Sequence, residues 1–98
     1  MTDVEIDKAL ALAIGHKLFD VKFHHDMWAV VVFRGSWRVF SHSDWNVIGP
    51  IAEKYYCFPF RLRGGAWEAI SRGKYKLGFF NADTPQRAIA LAVIGALT

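Results

Sequence analysis

Apolar and polar positions along the chain mark out three helical and six extended segments, and the last of them sets the terms for the rest. Ala88, Leu91, Ala92 and Gly95 recur at helical spacing, and Ile89, Val93 and Leu97 form a second apolar stripe beside them. Thr84 offers a hydroxyl to the first turn, and Pro85 suits the first helical position because its missing donor had no partner there. From Ala88 onward the segment carries no charge, so a helix here must be covered on two sides. It is far shorter than the roughly 20 apolar residues needed to cross a bilayer. The spacing therefore predicts a core helix over 84–97, with small residues permitting close approach to a sheet.

The remaining segments follow from periodicity and turn residues. Thr2 and Glu5 have the capping-box spacing, Ile6, Leu10, Ala13 and Ile14 share a face, and Gly15 is placed to end a helix over 3–14. Residues 18–23 alternate as a short edge strand. The run from Met27 to Phe33 is β-branched and aromatic, and Gly35-Ser36 is placed to turn it back into Trp37–Phe40. Ser41 to Asp44 offers caps for a helix over 45–56, in which Pro50 predicts a kink or a start delayed to Gly49-Pro50. In 58–63, Phe58, Phe60 and Leu62 alternate with Pro59, Arg61 and Arg63, which predicts a core face and a wet face. Strands over 66–70 and 75–80 follow, separated by turn glycines. The sum is an α+β fold in which antiparallel strands and helices occupy separate layers.

At 98 residues the chain is the size of one small domain, and 1–98 is read as a single unit. Four Trp and eight Phe predict a well-filled interior. Cys57 has no second cysteine to pair with, and the acidic start Asp3, Glu5, Asp7 is unlike a secretory signal; both favour a cytoplasmic setting without membrane association. A net charge of +3 is too small to argue for nucleic acid by itself.

Chemistry is sparsely marked. His16, His24, His25 and His42 with Asp26 and Asp44 are the nearest approach to a metal set, but adjacent His24 and His25 point apart on an extended chain and no ligand-pair spacing occurs. These histidines are expected to be solvated loop residues, with no metal and no cofactor. Cys57 reads as buried and inert, Ser41 and Ser43 as cap residues, and Gly64, Gly65, Gly73 and Gly78 as turn glycines rather than a phosphate loop. No enzyme is expected, since the carboxylates are scattered without an evident acid/base pair. The most suggestive cluster is basic and aromatic: Arg34, Trp37 and Arg38, then Arg61, Arg63, Trp67, Arg72, Lys74 and Lys76. Of these, Arg61, Arg63, Lys76 and Trp67 are the candidate ligand-binding set, suited to phosphate or single-stranded nucleic acid if they share a face. Should one side of the last helix be uncovered, Ile89, Val93 and Leu97 would form a homodimer interface.

Three short motifs carry a family resemblance. Glu5-Ile6-Asp7 with Leu10-Ala11, Ser43-Asp44-Trp45, and Ala82-Asp83-Thr84-Pro85 with Ala88 resemble the corresponding helix starts of the phage ABA sandwich family of small phage and prophage proteins. The resemblance spans nearly the whole chain, and departs where relatives have Gly-Trp and this chain has Gly15-His16. It implies an antiparallel sheet layered between helices, an α-β-α sandwich, in a protein of the host cytoplasm. It brings no catalytic residues. The expected function is that of a phage accessory protein that binds a host factor, a defence component or another phage protein.

Overall fold

The computed structural model describes residues 1–17, 21–24, 27–32, 36–72 and 77–98, apart from the side chains at 22, 24, 27, 29, 31, 32, 36, 72 and 77. Helix α1, Asp3–Ala13, begins at a complete capping box: Thr2 accepts from the Glu5 N–H while the Glu5 carboxylate accepts from the Thr2 N–H. Gly15, at φ +109°, takes the chain out of the helix in a conformation open to glycine. Strands β1 (Val21–His24), β2 (Met27–Val32) and β3 (Ser36–Phe40) form one antiparallel sheet in that order. Ser36 pairs with Val32, so it belongs to β3 and not to the turn. Helix α2, Trp45–Tyr55, is capped by Asp44, which accepts from the Asn46 N–H at 2.9 Å. It runs through Pro50 without a delayed start. Pro50 is exposed, in the second turn, where water can reach the carbonyl its ring leaves unbonded.

A second antiparallel sheet follows, with order β4 (Pro59–Arg61), β5 (Trp67–Arg72), β6 (Leu77–Ala82), and helix α3, Pro85–Leu97, closes the chain. Thr84 caps α3 by accepting from the Arg87 N–H, and Pro85 occupies the first turn. Gly78 is a strand residue, not a turn residue, and Gly73 lies outside the described residues.

The chain is a single α+β domain, and its radius of gyration of 13.2 Å matches the ~13 Å of a compact chain of this size. Its strands form two sheets, and α3 is where the layers meet. All three strands of the second sheet pack against α3, as do α1 and α2, while α1 also packs on β1 and β2. Ala88, Ile89, Ala90, Ala92 and Val93 are all fully buried, which at about 100° per residue covers more than half the helix circumference. The homodimer expected through Ile89, Val93 and Leu97 is therefore corrected: Ile89 and Val93 are core residues, and only Leu97, at the helix end, is exposed.

The buried core is mostly aliphatic, built from Ile6, Leu10, Val21, Val30, Ile48, Ile89 and Val93 with alanines and Phe40, and Trp28, Tyr55, Trp67 and Phe80 pack against it partly buried. One further expectation is revised. The phenyl groups of β4 do not form its core face: Phe58 and Phe60 are exposed, as is Arg61, while Pro59 is half-buried opposite Ala69 and Arg61 shares its face with Trp67. Buried Ala69 and Ser71 in the central strand set this phase, and the register then carries Phe60 outward with Glu68.

Phe80 of β6 packs where no Cβ intervenes. A Cβ on Gly78 would lie 2.9 Å from its ring, and one on Gly95 of α3 would overlap the ring outright. Gly95→Val is expected to cost about 1–3 kcal/mol, as overpacking does, despite the better helix propensity of valine; urea unfolding measures it.

Candidate functional site

Asp7 lies within the apolar arc of α1 formed by Ile6, Leu10 and Ala11, and it is buried with them. A buried carboxylate requires hydrogen-bond partners, and His42 supplies two. The His42 backbone N–H donates to Asp7 Oδ1 at 2.7 Å, and His42 Nδ1 lies 2.6 Å from the same oxygen. Because an ionised carboxylate only accepts, Nδ1 carries the proton. The opposite nitrogen, Nε2, lies 3.6 Å from Asp3 Oδ1, and Arg87 Nη1 approaches that oxygen to 3.3 Å. Arg87 also donates through Nη2 to the Met1 carbonyl, and Gln86 Nε2 donates to the Ser43 carbonyl at 3.3 Å. The first turn of α1, the segment before α2 and the first turn of α3 are thereby tied together.

Only 2% of His42 is exposed; its Nδ1 is held by the Asp7 carboxylate, and the Asp3 carboxylate lies 3.6 Å from Nε2. The arrangement holds three helix starts in fixed relation, and the expectation that His42 is a solvated loop residue is corrected. Ser41 and Ser43 hydroxyls pair with each other at 2.7 Å, and Asp44 is the residue that caps α2. His16 stacks edge-on against Phe40, with centroids 6.1 Å apart. Cys57 is buried, its thiol 3.4 Å from the Tyr55 carbonyl. Among the described residues, no three His, Cys, Asp or Glu side chains are placed to hold a metal ion. His25 and Asp26, and the His24 side chain, lie outside them.

The basic and aromatic set is divided by the β4–β5 hairpin. Arg61 lies over the Trp67 ring with its guanidinium carbon 5.9 Å from the centroid, so these two are brought together. Arg63 is exposed in the turn that follows, where Gly64 and Gly65 both have φ of +92°. Lys76, Lys74 and Arg34 lie outside the described residues, as does the Arg72 side chain. In the first sheet, Trp37 and Arg38 are consecutive in β3 and occupy opposite faces.

Both sheets have an outer face rich in exposed apolar side chains. On the first, Trp37 and Val39 are about half exposed. On the second, Phe60 pairs with Glu68 and Glu68 with Asn81, while Ile70 pairs with Phe79 in the adjacent row. Phe79 is 63% exposed and Phe58, just before β4, is 55% exposed.

Sequence reasoning missed both features. Asp7 carried the clearer signal, since an acidic residue inside an apolar helical stripe demands a partner. The outward phenyl groups carried none, because alternation fixes the period of a strand but not which phase faces the core.

No family model and no curated protein matches the chain. Among the described residues, no helix is long and apolar enough to cross a membrane.

Asp7→Ala strands two buried donors of His42 and is expected to cost about 2–3 kcal/mol, with Asp7→Asn costing less because its amide oxygen still accepts. Chemical denaturation of the two variants checks the order.

Proposed function

We propose that this chain is a phage or prophage accessory protein of the ABA sandwich type that acts by binding another protein of host or phage, without catalysis of its own. One observation carries the reading: large apolar side chains stand on the outer faces of both sheets, Phe60 and Phe79 on one, Trp37 and Val39 on the other. Exposed large apolar side chains of this kind mark interaction sites, and aromatic residues dominate the energetics of such contacts. The motifs at the three helix starts support the family, and the single Cys57 suits the reducing cytoplasm of a host cell. In a pull-down from bacterial lysate, proteins retained by the wild-type chain should be lost with Phe79→Ser or Trp37→Ser. An identical retained set for all three chains would overturn the reading.

The Arg61–Trp67 stack favours a second reading, a nucleic-acid or nucleotide site on the β4–β5 hairpin with Arg63 beside it. Here a mobility shift with single-stranded DNA should weaken steeply with salt and disappear in Arg61→Glu/Arg63→Glu. Binding that survives this double reversal would dismiss the hairpin as the site.

A further inference from the structure

The outer face of the second sheet has a chemical pattern more specific than exposed grease. Its described side chains are Phe60, Glu68, Ile70, Phe79 and Asn81, with Phe58 continuing the row of Ile70 and Phe79 by strand alternation. Glu68 is the one charge among them. It is half-buried on the central strand, directly across from Phe60, and makes no ion pair or side-chain hydrogen bond among the described residues. The chain as a whole carries +3, so this acidic centre runs against the overall balance.

An occupant that covers the phenyl rings also strips water from Glu68. A purely apolar partner would leave the carboxylate unpaired, and a phosphate-bearing or acidic one would face it with like charge. A lysine or arginine meets both needs, because its methylene stem packs on apolar surface while its head pairs with the carboxylate and lies over an aromatic ring. Resting on the protein-binding reading above, we infer that this face docks a polypeptide segment that brings a lysine or arginine, flanked by apolar side chains, over Glu68.

A library of random short peptides, selected on the immobilised chain, tests this. Retained peptides should carry Lys or Arg next to aliphatic or aromatic residues. They should bind about tenfold more weakly, a difference of about 1.4 kcal/mol, to Phe79→Ser and to Glu68→Lys, with Glu68→Gln intermediate. Selection on Glu68→Lys should return Asp or Glu at the same place. Circular dichroism of the variants establishes that they fold. Peptides that depend on Phe79 but show no cation preference, and bind Glu68→Lys unchanged, would overturn the inference and leave the broader binding reading standing. If no captured peptide depends on Phe79, the inference falls and the lysate experiment decides the broader reading alone. A dimer in sedimentation that Phe79→Ser dissolves would assign the face to a second copy of the chain and likewise overturn it.

Discussion

A helix with no charge along three turns has to be enclosed, and the enclosure of α3 organises this fold. Ile89 and Val93 each contribute about 1.5–3 kcal/mol when removed from water, which they can do only if neighbours exist on several sides at once. One sheet lies along α3, and α1 and α2 cover other parts of its surface. The alanines at 88, 90 and 92 bury little area individually, but they bring backbones close and keep the packing dense.

Spending the helices on this enclosure leaves each sheet one-sided. The first sheet rests on α1 through Val21 and Val30, and the second rests on α3 through Ala69. Neither outer face is covered by an element of the chain among the described contacts. Among the described residues, Trp28, Phe40, Tyr55, Trp67 and Phe80 lie in the core or pack against it, whereas Trp37, Phe58, Phe60 and Phe79 are exposed at the outer sheet faces. The buried Asp7–His42 pair has the complementary character. Hydrogen-bonded polar contacts inside an aliphatic core add less to net stability than to orientation, and this pair sets how α1 meets the segment before α2.

The helices were legible in the sequence because their signals are local. Thr2 with Glu5, Asp44 before Trp45, and Thr84 with Pro85 each act within one turn, and all three helices start where these residues place them. Strand existence was legible for the same reason. Strand phase was not, since Phe60 and Arg61 alternate equally well in either orientation and the choice lies with Ala69 and Ser71 in a different strand. Likewise Asp7 and His42 are 35 residues apart, and neither shows its partner without the fold. The cover over Ile89 and Val93 was beyond sequence reading too, because the number of neighbours available to a helix is a property of the whole assembly.

Phe80 projects from β6 into a notch bordered by Gly78 on its own strand and Gly95 on the helix above. Because the notch has no room for a side chain on the helical side while the ring keeps its place, the glycine favours one axial position of α3. Sliding it by one turn would bring Leu91 or Thr98 over the ring. A lone phenyl group thus acts as the key that indexes helix to sheet, rejecting neighbouring alignments that a uniformly greasy surface would otherwise accept almost equally well.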